Sequence, residues 1–213
     1  MQENRGKFIT FEGVDGAGKS TQAAKLAQRL RDHGHTVRLV HEPGGTPLGE
    51  HIRHLLTNPR NAPPLTPATE LLLFAASRAQ LVTQIIRPAL AAGEIVLCDR
   101  FTDSTLVYQG HGHGLPPAAI NTLNDLATGG LHPTLTLLLD LPTPTALHRA
   151  HHRPGIPPDR LEQHDPAFYE RVRAGYHALA QDNPRRIHIA DATQPPEILA
   201  QHIWNELHHR HLL

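Results

Sequence analysis

The stretch Gly13-Val-Asp-Gly-Ala-Gly-Lys19-Ser20 constrains the fold of this chain more than any other feature. It matches the phosphate-binding pattern G-x-x-x-x-G-K-[ST]. An apolar run, Phe8 to Phe11, precedes it and a helix-forming segment that begins at Thr21 follows it, which is the strand–loop–helix order that the motif requires. Glycines let successive backbone N–H groups turn towards an anion, and the helix N-terminus adds its positive dipole end. The sequence therefore predicts a loop that binds the phosphates of a nucleoside triphosphate.

The rest of the chain alternates short apolar runs with longer helical stretches. Five runs are predicted to be buried strands: Lys7–Glu12, Thr36–His41, Ile95–Asp99, Leu135–Leu141 and Arg186–Ala190. Helices are predicted over Lys19–His33, Leu48–Leu56, Ala68–Ala91, Pro117–Thr128, Thr145–His152, Pro166–Asp182 and Pro196–Leu207. Strands joined through helices imply right-handed crossovers. We therefore expect an α/β fold of the P-loop type, with a five-stranded parallel sheet covered by helices on both faces.

Length and composition limit the organisation and the partners. The 213 residues are expected to form one domain over 1–213. There are 20 Lys and Arg against 20 Asp and Glu, so no broad basic surface for nucleic acid or membrane is predicted. Cys98 is the only cysteine, which suits a reducing compartment. No apolar run approaches the roughly 18 residues of a membrane span, and the polar N-terminus has no signal-peptide pattern. We expect a cytoplasmic protein.

Side chains near the predicted loop suggest how a metal is held. Lys19 is expected to reach the β- and γ-phosphates, and Ser20 offers a hydroxyl to Mg²⁺. Two predicted strands end in aspartate, at Asp99 and Asp140, and the carboxyl ends of parallel strands are where ligands bind. Asp99 is followed by Arg100, which puts a cation beside a carboxylate. Asp140 is interpreted equally well as a metal ligand or as a strand-ending cap.

Several classes of nucleotide-binding protein are disfavoured. The chain has no Asn-Lys-x-Asp stretch for guanine, and no glutamate follows the strand-end aspartates as in motor ATPases. It has instead an arginine-rich segment at about 151–163, with Arg153 and Arg160, which is predicted to be a mobile flap. Arginines suit a kinase that handles two phosphorylated substrates. A nucleoside kinase, another monophosphate kinase and a nucleotide-binding regulatory protein remain as alternatives.

Seven short pieces of sequence carry a resemblance to a known family: Phe11–Ser20, Glu42–Thr46, Gly49–Arg53, Leu73–Arg78, Asp99–Phe101, Asp103–Gly110 and Ile189–Ala192. In this order they resemble thymidylate kinase over essentially the whole chain. Gly16 stands where eukaryotic-type members carry a loop arginine, so the bacterial type is indicated. The resemblance implies transfer of the γ-phosphate of ATP to dTMP, giving dTDP and ADP in dTTP biosynthesis, with Mg²⁺ as cofactor and a homodimer as the assembly.

The resemblance also implies roles for residues at the donor end. Nine loop residues are expected to contact ATP: Gly13, Val14, Asp15, Gly16, Ala17, Gly18, Lys19, Ser20 and Thr21. Arg149 is expected to lie against adenine, and the flap residues Arg153 and Arg160 to reach the phosphates when the flap closes. The implied metal ligands are Ser20, Asp15 and Asp99. The residues expected to be catalytic are Lys19, Arg100, Arg153 and Asp15.

At the acceptor end, eight residues are implied to contact dTMP: Asp15, Arg53, Phe74, Arg78, Arg100, Thr105, Tyr108 and Gln109. Asp15 would take the sugar 3′-hydroxyl. Arg53 and Arg100 would clamp the phosphate, Phe74 would stack on thymine and Arg78 would address a thymine carbonyl. Tyr108 would pack where a ribose 2′-hydroxyl has to sit.

Some of these residues have simpler interpretations. Phe74 lies in an apolar helix and would ordinarily be assigned to the core, and Tyr108 is also typical of a core residue. Arg78 is harder to dismiss, because a buried arginine needs a partner. His41 stands where many bacterial members have arginine, which puts an extra cation in question. Asp165 is interpreted either as a residue that positions the flap or as a helix cap.

Overall fold

The computed structural model describes residues 6–58, 65–152 and 160–213. Within these residues five strands form one sheet: β1 (Phe8–Glu12), β2 (Val37–His41), β3 (Ile95–Asp99), β4 (Leu135–Asp140) and β5 (Ile187–Asp191). All neighbouring strands are parallel, in the order β2-β3-β1-β4-β5. The predicted five-stranded parallel sheet is confirmed, and β1 lies at its centre, so the loop that follows β1 opens in the middle of the sheet edge.

Nine α-helices connect or cover the strands in the described residues. They are α1 (Lys19–Asp32), α2 (Pro47–Thr57), α3 (Pro67–Leu81), α4 (Arg87–Ala91), α5 (Thr102–Thr105), α6 (Pro117–Thr128), α7 (Thr143–His151), α8 (Pro166–Asp182) and α9 (Pro196–His209). Two π-helical segments, Val82–Ile86 and Leu106–Gly112, and a 3₁₀ turn at Arg160–Glu162 complete the description.

Side chains alternate between two hydrophobic clusters on opposite faces of the sheet, as the pleat of a strand dictates. From β1, Ile9 and Phe11 join the larger cluster with residues of α1, α8 and α9. Phe8 points the other way, into a smaller cluster that contains Leu81 and Ile86. Burial on both faces explains why β1, β3 and β4 read as continuous apolar runs rather than as alternating ones. The prediction of buried strands is wrong for the edge strands β2 and β5, each of which has exposed residues because only one neighbouring strand covers it.

The largest departure from the predicted helices follows β3. No helix is among the predicted elements between Phe101 and Leu115. The structure has α5 there, continued by the π-helical segment Leu106–Gly112. The predicted helix Ala68–Ala91 is also interrupted by a π-helical segment at Val82–Ile86. Pro88 has no N–H to continue the regular helical ladder, which gives a physical reason for the interruption.

Two interpretations that the sequence left open are decided by side-chain contacts. Asp165 caps α8, since its Oδ1 accepts a hydrogen bond from the Phe168 backbone N–H at 2.6 Å. Asp140 accepts two hydrogen bonds from the Arg173 guanidinium, both 2.8 Å long, and lies 3.0 Å from His177 Nε2. Asp140 is therefore a structural ion-pair partner.

The structure describes only part of the predicted flap. Of the predicted flap at 151–163, residues 153–159, and with them Arg153, lie outside the described residues. None of the described helices combines the length and the apolar character that crossing a bilayer would take.

Candidate active site

A cleft of about 780 Å³ opens at the carboxyl edge of the sheet. It is bordered by the loop after β1, the ends of β2 and β3, helices α2 and α3, and the π-helical segment after α5. Fifteen of the residues predicted for the site line it: Asp15, Gly16, Gly18, Lys19, Ser20, Thr21, Arg53, Phe74, Arg78, Asp99, Arg100, Thr105, Tyr108, Gln109 and Arg149. Gly13, Val14 and Ala17 form the body of the loop behind them.

The loop after β1 brings its lysine to one end of this cleft. Gly16 and Gly18 have φ of 81° and 90°, a left-handed region in which glycine carries no steric penalty. Lys19 is the first residue of α1, and its Nζ donates a hydrogen bond of 2.9 Å to the Val14 carbonyl. Burial, followed by the nearby charge of Arg100, lowers the pKa of Lys19 to about 8. The lysine is thus held over the loop, where an anionic phosphate would offset the positive charges of Lys19 and Arg100.

Arg100 occupies the middle of the cleft, between the loop and the far end. Its backbone φ is 69°, which costs a non-glycine residue about 1–2 kcal/mol. Its guanidinium forms an ion pair with Asp15 and donates to the Gly13 carbonyl at 3.1 Å and to Tyr108 Oη at 3.3 Å. Tyr108 in turn donates to Asp15 Oδ2 at 3.1 Å. A strained residue held by this many contacts is typical of a functional position.

Charge and burial oppose each other at Asp15. Burial alone would raise its pKa, but Arg100 and Lys19 outweigh that effect and hold the pKa below its usual value. The carboxylate stays ionised at neutral pH and ties the loop to Arg100.

A buried carboxylate that the sequence analysis did not assign lies beneath Arg100. Glu12, the last residue of β1, accepts hydrogen bonds from the Phe101 N–H at 2.8 Å and from Tyr176 Oη at 2.9 Å. Ser104 also donates to it, and Ser104 Oγ accepts from Arg100 at 3.0 Å. Burial, with a smaller contribution from Asp103, raises the pKa of Glu12 to about 7. Glu12 therefore supports Arg100 from below through shared hydroxyl partners.

The residues predicted to hold a metal divide into two groups. Ser20 donates a hydrogen bond to Asp99 Oδ2, and both side chains line the cleft. A hydroxyl beside a carboxylate fits Mg²⁺, which is usually held by one or two protein oxygens together with substrate phosphates. Asp15 has Arg100 and Lys19 as neighbours, 3.9 Å away in the case of Lys19, and two cations oppose a metal there. In the described part of the chain, no three His, Cys, Asp or Glu side chains are grouped to hold a metal by themselves.

The far end of the cleft is built around a buried arginine. Arg78 is 1% exposed, and its Nε and Nη2 lie 2.8 and 2.7 Å from Glu42 Oε2. It also donates to Asn124 Oδ1 at 2.7 Å, to Thr105 Oγ1 at 2.9 Å and to the Phe101 carbonyl at 3.1 Å. The requirement that this arginine have a partner is met by Glu42, whose pKa is raised by burial against the lowering effect of Arg78. Phe74 and Gln109 line the cleft on the same side.

Three further arginines are placed at different points. Arg53 Nη1 donates to the Pro43 carbonyl at 3.0 Å, at the edge of the cleft near the end of β2. Arg149 Nη1 donates to the Ala192 carbonyl at 3.1 Å, on the side of the loop after β5. Arg160 forms an ion pair of 2.6 Å with Glu70 in the first turn of α3. It therefore lies against α3 rather than at the phosphate-binding loop.

His41 makes contacts that an arginine at the same place would have to replace. Its Nε2 lies 3.0 Å from Glu50 Oε1, and the same oxygen accepts the Gly45 N–H at 2.7 Å. The imidazole is thus part of the support for the turn between β2 and α2, and it lines the cleft.

Sequence reasoning missed the buried carboxylates Glu12, Glu42 and Glu70 as site residues. Each signal was faint: Glu12 ends an apolar run, Glu42 precedes Pro-Gly-Gly, and Glu70 begins an otherwise apolar helix. Glutamate is almost never buried without a partner, so a glutamate in an apolar segment indicates a tertiary pair. The spacing of residues in the sequence does not say which residue that partner is.

Three comparisons with known proteins point to one family. The thymidylate kinase family model matches residues 11–203. The chain is 52% identical to a thymidylate kinase of Geotalea uraniireducens over 89% of this chain and 90% of the relative. It is 50% identical to a thymidylate kinase of Deinococcus radiodurans, over 94% and 96% of the two chains. A crystal structure of thymidylate kinase from Ehrlichia chaffeensis superimposes with a TM-score of 0.76 at 35% identity, covering 95% of this chain and 99% of that one.

The loop, the parallel sheet and the matches over most of the chain all point to one conclusion. The chain belongs to the thymidylate kinase family, and the relatives it matches are bacterial.

Proposed function

We propose that ATP and dTMP occupy opposite ends of the cleft, so that the γ-phosphate passes between them beside Lys19 and Arg100. As a thymidylate kinase, the chain phosphorylates dTMP to dTDP for dTTP synthesis, with ATP as donor. The observation that carries the arrangement is that a single cleft joins the phosphate-binding loop to the pocket around Phe74, Arg78 and Gln109. Arg100 lies between the two.

The donor nucleotide is assigned to the loop end. The backbone N–H groups from Gly13 to Thr21 are expected to surround the phosphates, with Lys19 on the transferred group. Mg²⁺ would be held by Ser20 and Asp99 together with phosphate oxygens, where it supplies charge neutralisation of the transferred group. Arg149 of α7, which donates to the Ala192 carbonyl after β5, is proposed to lie against adenine.

The acceptor nucleotide is assigned to the other end. Phe74 offers a ring for stacking on thymine, and Arg78, Thr105 and Gln109 offer polar groups for its edge. Asp15 and Tyr108, which are joined by a hydrogen bond of 3.1 Å, are proposed to contact the sugar. A guanidinium fork matches a phosphate, so Arg53 and Arg100 are proposed as the phosphate clamp.

The chemistry asks for charge stabilisation more than for proton transfer. A phosphate monoester has a second pKa of about 6, so the acceptor is already mostly a dianion at neutral pH and needs no strong base. Two anions must approach in line while charge spreads over the transferred group. Lys19 and Arg100 meet that need from within the described site, and a flap arginine at position 153 is proposed to add to it.

One assay separates the proposal from its alternatives. ADP release is measured with Mg·ATP and, in turn, nucleosides and nucleoside monophosphates as acceptors. Release that depends on dTMP supports the proposal. Release that depends on thymidine instead would indicate a nucleoside kinase, and no acceptor dependence would indicate a nucleotide-binding regulatory protein.

Exposed leucines on three helices support a homodimer as the assembly. Leu48 and Leu55 of α2, Leu72 of α3 and Leu126 of α6 are each at least half exposed. Helix α3 packs against α2 and against α6, so these leucines lie on neighbouring helices, whose exposed side is the proposed interface. We propose that a second copy covers this face, and light scattering at micromolar concentration that gives the mass of a monomer would contradict it. Since ATP and dTMP are intracellular metabolites, we place the enzyme in the cytoplasm.

A further inference from the structure

The 3₁₀ turn at Arg160–Glu162 is fixed to the acceptor side of the cleft by its first residue. Arg160 Nε donates to the Leu56 carbonyl at 2.9 Å, near the end of α2. Arg160 Nη1 lies 2.6 Å from Glu70 Oε1, in the first turn of α3. One guanidinium therefore joins the turn to two helices at once.

The partner carboxylate is deeply buried, which makes this pair unlike a surface ion pair. Glu70 is 2% exposed, and its second oxygen, Oε2, makes no hydrogen bond within the described part of the chain. His113 Nε2 lies 3.6 Å from that oxygen. A buried carboxylate that loses its cation is left uncompensated, so removal of Arg160 would leave Glu70 buried without the cation that it contacts.

The position of Glu70 connects this pair to the acceptor pocket. Glu70 precedes Phe74 by four residues and Arg78 by eight, so the three side chains follow one side of α3. Leu161 and His164, which follow Arg160, line the same cleft. The His164 ring stacks on Phe168 with the ring centres 4.0 Å apart. The ion pair thus holds the segment with Leu161 and His164 against the helix that carries Phe74 and Arg78.

We propose that Arg160 is a positioning residue for dTMP, acting through its ion pair with Glu70, and not a ligand of the ATP phosphates. The proposal rests on the assignment of dTMP to this end of the cleft. Loss of either member of the pair is expected to loosen the wall around the base while leaving the loop end unchanged.

The test is a double-mutant cycle with Glu70→Gln, Arg160→Met and the two together. Steady-state KM is measured for dTMP at saturating ATP and for ATP at saturating dTMP. Each single change is expected to raise the KM for dTMP by about tenfold or more, because small displacements of a positioned substrate are costly. The double variant should be no worse than the worse single variant, since both act through one contact. The KM for ATP should stay within about twofold.

Matched controls separate this effect from a general loss of charge. Arg149→Met removes a cleft arginine at the donor end and is expected to raise the KM for ATP instead. Arg38→Met breaks the exposed pair with Glu94 and should change neither KM. Because breaking a buried pair can prevent folding, Arg160→Lys is measured too; it keeps the charge but loses the fork, and it should raise the KM for dTMP alone.

Other outcomes would overturn the proposal. A rise in the KM for ATP, or a fall in kcat with the KM for dTMP unchanged, would indicate that Arg160 acts on the ATP phosphates instead. Additive effects of the two changes would mean that the residues act separately. A lower melting temperature with both KM values unchanged would make the pair purely structural. An inactive wild-type enzyme would count against the dTMP assignment itself, which the cycle does not test.

Discussion

The phosphate end of the cleft is assembled from one continuous loop, whereas the base end is assembled from side chains far apart in the chain. Lys19 contacts the carbonyl of Val14, five residues away, and pairs with Asp15 within the same loop. At the base end, Arg78 reaches Glu42 across 36 residues, and Arg160 reaches Glu70 across 90. Backbone geometry shapes the loop, which the Arg100–Asp15 ion pair ties to the end of β3, whereas the base end depends on buried ion pairs throughout.

This difference predicts two kinds of failure. A change in the loop removes charge from the reacting phosphates but leaves the packing intact, so it should reduce rate more than stability. A change in a buried ion pair leaves the remaining charge buried without its partner, so it should reduce stability as well as substrate affinity.

Arg78→Met tests the base end most severely. It leaves Glu42 buried without its cation, and we expect the free energy of unfolding to fall by about 3–5 kcal/mol at pH 7.5. The loss should be smaller at pH 5, because protonation of Glu42 removes the unmatched charge. Urea denaturation at both pH values measures this. Arg38→Met, which breaks an exposed pair, should cost less than about 1 kcal/mol, and an equal loss in both variants would contradict the contrast.

Lys19→Ala tests the loop end. We expect the rate of dTDP formation to fall by roughly 10²-fold or more, because the lysine stabilises charge on the transferred phosphate. The circular dichroism spectrum and the melting temperature should remain close to those of the wild type. Lys25→Ala is the matched control, since Lys25 belongs to the same helix but pairs with Glu197 at the surface. Turnover by Lys19→Ala at the wild-type rate would contradict the proposal that Lys19 stabilises charge on the transferred phosphate.

Tyr108 contacts Asp15 of the loop and also lines the cleft, so its truncation tests whether the ring selects the sugar of the acceptor. If the ring excludes a ribose 2′-hydroxyl, Tyr108→Ala should narrow the ratio of kcat/KM between dTMP and its ribose counterpart by about tenfold. Tyr108→Phe keeps the ring but loses the hydrogen bond to Asp15, so it should keep the ratio. Proportional losses with both substrates in the alanine variant would show that the tyrosine only packs.

The smallest expected effect is a pH dependence at the loop end. The pKa of Lys19 is lowered to about 8 in the free enzyme, and the protonated form is the one that attracts phosphate. Therefore kcat/KM for ATP should fall as pH rises through 8, to about half of its plateau at that pH. Lys19→Ala should lack this descent. Glu12→Gln should keep it, since Glu12, with a pKa of about 7, titrates lower.

How much of the molecule could be predicted from the sequence follows the same division. The loop and the strands were predictable because each depends on neighbours in the chain: Gly16 and Gly18 on their own backbone, and β1 on its apolar run. The helix after β3 was not predicted; its continuation contains glycines at 110, 112 and 114, which disfavour a helix unless tertiary packing supports it. The position of Phe74 followed from the family resemblance alone.

The partners of the buried charges were beyond sequence reasoning. Nothing in the spacing of Glu70 and Arg160 indicates that they meet, and the resemblance placed Arg160 at the phosphates instead. Similarly, Glu12 was read as the end of a strand, although it accepts hydrogen bonds from Phe101 and Tyr176, residues that arrive from two distant elements. Contacts of this kind exist only once the fold has formed.

The close approach of Gly16 to α7 bears on how such enzymes diverge. A Cβ at this position would collide with the Ala146 carbonyl and lie 3.1 Å from the Ala150 N, so loop and helix backbone meet with no room for a side chain. Placing an arginine in the loop, as in eukaryotic-type members, would require α7 to shift at the same time. In this chain, a change from Gly16 to arginine would have to be accompanied by a change at α7, so that substitution alone does not convert one arrangement into the other.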